Sequence, residues 1–152
     1  MLCRLSATLL LIALATPASA QERQWSLDAS DQDAYLIFGV PESDDVGISF
    51  WCTVQKDEVN IFVPEGDPKQ KPGQAVDLII SAGGETATLK GRTEENEEGA
   101  TTSVEAKAPA DLPVFAAMLK ADRFHVKTGE VDNVFPLIDA DLRGLLDVCH
   151  KP

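Results

Sequence analysis

The chain reads as an α+β domain: an antiparallel β-rich sandwich or barrel-like domain with two short helices near the C-terminus, one disulfide-linked to a central strand. Three observations predict this. Apolar residues alternate with period two, broken by turn residues, from Trp25 to about Lys107. The spacing then changes twice to that of a helical face, around Leu112–Leu119 and Leu142–Cys149. Finally, two cysteines stand one in each region, Cys52 within a strand and Cys149 on the last apolar stripe.

In chain order, strands are expected at 24–27, 35–40, 46–54, 59–63, 75–81, 86–92 and 101–107. The breaks between them hold Pro41 to Asp45, Lys56 and Asp57, Pro64 to Gly73, Gly83 and Gly84, and the acidic stretch from Glu94. Short strands with tight connections favour a sandwich or barrel over a parallel sheet. Leu112, Phe115, Ala116 and Leu119 then predict a helix over 111–120, with Asp111 placed to cap it and Pro113 tolerated in the first turn. Phe124 and Val126 alternate with Arg123, His125 and Lys127, Gly129 marks a turn, and 131–137 completes a closing hairpin. Leu142, Leu145, Leu146 and Cys149 make the final amphipathic helix, capped by Asp139 or Asp141.

Residues 1–20 have the three-part layout of a secretion signal. Arg4 lies near the start, an apolar run follows from Leu9 to Ala15, and small residues precede a cleavage point after Ala20. That run is shorter than the roughly 20 residues needed to cross a bilayer. The expected product is one globular domain, residues 21–152, in the periplasm or outside the cell, with no membrane span. Arg4 is the only charge in the leader, so 12 Lys and Arg face 25 Asp and Glu in the remainder, a net −13. Such a surface repels nucleic acid and anionic lipid and attracts cationic partners at low salt.

Cys3 leaves with the leader, and the isolated pair Cys52 and Cys149 is expected to form a disulfide in an oxidising compartment. Alternation places Val46, Ile48, Phe50, Cys52 and Val54 on one strand face, so the last helix should lie on that face. Closing so long a loop is assigned about 4 to 5 kcal/mol.

Two surfaces are candidates for function. Tyr35 or Ile37, Trp51 and Phe62 project away from the Cys52 side, so Tyr35, Trp51 and Phe62 form a possible partner patch unless a second layer of structure covers it. Arg123, His125 and Lys127 point one way along a strand with Lys120 nearby, a possible anion ridge. The plainer reading of that ridge is the solvated face of an edge strand. No pattern calls for a metal or cofactor. The only histidines are His125 and His150, and the acidic clusters at Asp28–Asp33, Glu42–Asp45 and Glu94–Glu98 lack a calcium-loop pattern. Nucleophile elbows, phosphate loops and His-Glu-x-x-His are also missing. The reading favoured is a non-catalytic binding or interaction protein of the cell envelope, its partner a protein or envelope ligand. One alternative is an inhibitor of a cationic enzyme such as a lysozyme. Another is a hydrolase with an unrecognised carboxylate site, which predicts a concave pocket lined by convergent carboxylates.

The run from Ala34 to Cys52, AYLIFGVPESDDVGISFWC, and the run LKADRFHVKTG at positions 119–129 resemble a group of small exported proteins of alphaproteobacteria. The final helix ending in Cys149 is similar too. The order of elements also resembles, more distantly, periplasmic proteins of the invasion-associated locus B type. The resemblance implies a Gram-negative periplasm; its motifs are structural and imply no chemistry.

Overall fold

A computed structural model describes residues 22–96 and 102–151, so the leader expected at 1–20 lies outside the described residues. Nine strands and two helices follow one another as β1 (Gln24–Ala29), β2 (Asp33–Gly39), β3 (Val46–Thr53), β4 (Glu58–Val63), β5 (Ala75–Ala82), β6 (Glu85–Glu95), β7 (Thr102–Pro109), α1 (Pro113–Met118), β8 (Arg123–Thr128), β9 (Val131–Pro136) and α2 (Leu142–Cys149). All nine strands join in one antiparallel sheet of order β1-β2-β3-β4-β7-β6-β5-β8-β9. The expected class is therefore present, as a sheet curled into a half-barrel.

Alternation sets which face each side chain takes. Leu36, Ile48, Phe50, Ile61, Leu78, Ile80, Val104, Phe124 and Val126 point inward and are buried. Ring contacts tie the curl together: Phe50 lies 5.8 Å from Phe124 and 6.3 Å from Phe115 of α1. Trp25 of β1 packs 6.3 Å from both Phe50 and Phe124, and its indole Nε1 donates to the Pro136 carbonyl of β9 at 2.7 Å. One side chain thus links the two outer strands, so the sheet wraps round its own inner face and needs no second sheet.

Turn chemistry holds the register. Gly83 and Gly84, at φ 56° and 90°, make the two-residue β5–β6 hairpin, whose left-handed backbone matches the strand twist. The β8–β9 hairpin turns at Gly129, φ 59°. A register shift between Phe38 and Gly39 ends the clean alternation there, and Val46 is only half-buried.

The disulfide expected between Cys52 and Cys149 is present, with Cα atoms 5.7 Å apart and both residues fully buried. It pins α2 on the inner face of β3, and Gln55 N and Asp57 N donate to the Val148 and Cys149 carbonyls alongside. Asp141 caps α2 by accepting from Gly144 N at 2.9 Å. Three expectations need correction. The first helix is shorter than 111–120, and Asp111 does not cap it: the cap position is Leu112, with an extended ψ of 129°, followed by Pro113. Because Pro113 has no N–H, it removes one of the donors that a side-chain cap would serve. Strand β6 runs through the acidic residues to Glu95, supported by pairing with β7, where a break had been expected at Glu94. Finally, β8 is not an edge strand; it lies between β5 and β9.

Candidate ligand groove on the outward sheet face

The outward face is organised by register into rows across strands that are far apart in sequence. One row runs Tyr35, Trp51, Asn60, Lys107 across β2, β3, β4 and β7. The next runs Ile37, Ser49, Phe62, Glu105, Arg92 and reaches β6. No helix or second sheet covers these rows among the described residues: both helices contact strands from the inner side or the sheet ends. The covering layer that would have hidden the aromatic face is thus missing from the described residues.

Within that face the structure brings Tyr35 and Trp51 together, ring centroids 6.0 Å apart and planes 19° from parallel, with Tyr35 40% exposed. Phe62 shares the face but sits one row on, between Ser49 and Glu105, so the three aromatics do not form one cluster. Beside Trp51 lies a groove of about 340 Å³. Trp51 and Asn60 form one side, Lys90, Arg92 and Glu94 the other, with Glu105 and Lys107 between. Gly91 and Ala106, paired in register, belong to the inward parity and bring only backbone to its floor.

The polar groups of the groove are held in place. Asn60 Nδ2 donates to the Trp51 carbonyl at 3.3 Å, leaving its Oδ1 as an acceptor. Lys107 donates to Glu58 at 2.8 Å, Lys90 to Asp77 at 2.6 Å, and Arg92 Nη1 to the Gly73 carbonyl at 3.2 Å. Such exposed pairs add little stability, and each leaves further N–H donors of the same side chain over for a ligand. The Glu94 and Glu105 carboxylates accept no hydrogen bond among the described residues.

The basic ridge is divided. Arg123, His125 and Lys127 do share the outward face of β8, but Asp132 of β9 lies opposite Lys127, and its Oδ1 is 3.3 Å from His125 Nδ1. Lys120 lies in the turn after α1 and lines a different hollow, with Glu85 and Ala117. Among the described residues no three His, Cys, Asp or Glu side chains come together as metal ligands.

One buried carboxylate escaped the sequence reading. Asp67, 5% exposed, accepts from Lys69 N at 2.9 Å and Glu130 N at 2.8 Å, clasping the β4–β5 loop to the β8–β9 turn. The Glu130 N–H, then that of Lys69, holds its carboxyl below the usual range, with help from the Lys69 charge. The Lys69 ammonium also reaches Glu130 across the same junction. With both oxygens occupied, Asp67 is a fastening. Loop aspartates generally cap turns on the surface, and nothing in the local sequence marks this one as buried.

The chain matches no protein-family model, no curated protein and no solved structure.

Proposed function

We propose that this chain is a non-catalytic binding protein of the cell envelope that takes its ligand or partner on the outward sheet face around Trp51. The single observation that carries the reading is the Tyr35–Trp51 pair, two nearly parallel rings at the side of a groove, Tyr35 exposed and Trp51 half-buried. Large rings on a rigid strand offer apolar area at little entropic cost, which is why they serve recognition. Export is part of the proposal. It is supported by the leader pattern of residues 1–20, is compatible with the Cys52–Cys149 bond, and no helix among the described residues is long and apolar enough to cross a membrane.

The two tryptophans make a direct test. In protein labelled with 5-fluorotryptophan, the Trp51 resonance, assigned with Trp51→Phe, should shift or broaden when solubilised cell-envelope material is added. The signal of Trp25, packed among Phe38, Phe50 and Phe124, should stay where it is. Two unmoved resonances across all envelope fractions overturn the proposal.

One observation favours a second, hydrolytic reading: Glu94 and Glu105 line the same groove from adjoining strands. Paired carboxylates are the usual equipment for glycosidic cleavage. New reducing ends after incubation with oligosaccharides, absent in Glu105→Gln, would establish it, and their absence would remove it.

A further inference from the structure

Resting on that binding role, we infer that the groove beside Trp51 is a saccharide subsite, with Trp51 as the platform for a sugar ring and Asn60, Arg92, Glu105 and Lys107 as partners for its hydroxyls. Four observations converge on this ligand class. The groove has one flat aromatic side, Trp51, and the Tyr35 ring on the neighbouring strand stacks beside it, its plane 19° from parallel, so the indole is braced as a platform for a sugar ring. Around the ring stand polar groups of both kinds: donors on Arg92 and Lys107, acceptors on Glu105 and on Asn60 Oδ1 beside it. A hydroxyl both donates and accepts, so a mixed set of this kind satisfies a polyol, whereas a single-sign set would suit an ion. At about 340 Å³ the groove stands near the lower end of ligand pockets, room for a short stretch of chain with the rest running on over the open face.

The same geometry argues against the other common ligands. A peptide captured by strand addition needs a free sheet edge, but β4, β7 and β6 are paired on both sides. Phosphate-bearing ligands would meet the unpaired carboxylates of Glu94 and Glu105 in a chain of net charge −12. Lys107, Arg92 and Asn60 each use one bond within the protein and keep other donors or an acceptor for sugar hydroxyls.

The test is amide chemical-shift mapping of the full exported chain with cellotetraose, chitotetraose and tetragalacturonate at millimolar concentration. At least one should move the amides of Trp51, Asn60, Arg92 and Lys107 together while those of the β8–β9 hairpin stay fixed. Trp51→Ala should weaken that binding about tenfold, and Asn60→Ala about threefold to tenfold. If Trp51→Ala loses native dispersion, Trp51→Leu takes its place, keeping apolar contact with Tyr35 while removing the flat ring. Groove amides unmoved by all three tetrasaccharides, or an affinity unchanged by loss of the ring, overturn the inference. Should the fluorotryptophan signal still respond to envelope material, only the saccharide class falls; should it be silent too, the binding role falls with it.

Discussion

Replacing both cysteines, as Cys52→Ala/Cys149→Ala, should leave the native fold intact and remove most of its stability margin. The bridge joins positions 97 residues apart, and the loop-entropy relation assigns closing such a ring about 4.7 kcal/mol at 25 °C. Alanine is the right replacement because both sites are fully buried, where a serine hydroxyl would lack a partner. Small domains are stable by about 5–15 kcal/mol, so the loss is a large share of the whole. With an unfolding entropy of about 2.1 cal/mol/K per residue, it lowers the melting temperature by roughly 15 °C. The fold itself should persist because α2 keeps other ties to the β3–β4 turn: Gln55 N and Asp57 N to its last carbonyls, and Lys151 N to Asp57 Oδ1 at 2.7 Å. Urea unfolding followed by near- and far-ultraviolet circular dichroism reads both effects. The midpoint should fall and the slope should rise, because the freed unfolded chain exposes more surface. A variant with unchanged midpoint and slope would show that the bridge does not restrain the unfolded state and would refute the argument.

Two further predictions concern the clasp at the β8–β9 turn. Asp67→Asn should unfold at lower urea than the parent at neutral pH, since Lys69 N and Glu130 N donate to different oxygens and the amide puts an NH2 donor against one of them. The carboxyl's folded pKa is depressed, so its contribution is full above the ordinary carboxylate range of about 4 and is lost as pH falls through the folded value. The gap between parent and variant should therefore close in acid, and a gap independent of pH would contradict the assignment. Gly129→Ala should cost about 1–3 kcal/mol in the same assay, because φ is 59° and the added Cβ would run into the Asp67 carboxylate; an unaffected midpoint would show that the turn yields.

Much of the element order is visible in the residues themselves. Alternation in 46–54 and 59–63 marks β3 and β4, Gly83 and Gly84 mark a hairpin, and the spacing of Leu142, Leu145, Leu146 and Cys149 marks α2. Those signals are local, since each reports the environment of one short segment. The candidate site was legible only in fragments. Outward parity is readable for Trp51, for Lys90 with Arg92 and for Glu105 with Lys107, but their convergence depends on β4 pairing with β7 and β7 with β6. No local pattern specifies those partners. Consecutive hairpins would have placed β4 beside β5, separating Asn60 from Lys107. The anion ridge fails for a similar reason: β9 brings Asp132 beside His125 and Lys127, and the turn after α1 directs Lys120 elsewhere.

By itself, then, the sequence determined the strand and helix inventory, the inward and outward parity of each strand, the acidic surface and the cysteine pair able to tie tail to sheet. These follow from backbone geometry and composition, which act within a few residues. Only the tertiary structure decided that the sheet curls until Trp25 of one outer strand meets Pro136 of the other, that Asp67 is buried as a clasp, and that no described helix or sheet covers the Trp51 face beside a groove. Each of these depends on contacts between distant segments, and which segments meet is settled by the packing of the whole inner face at once.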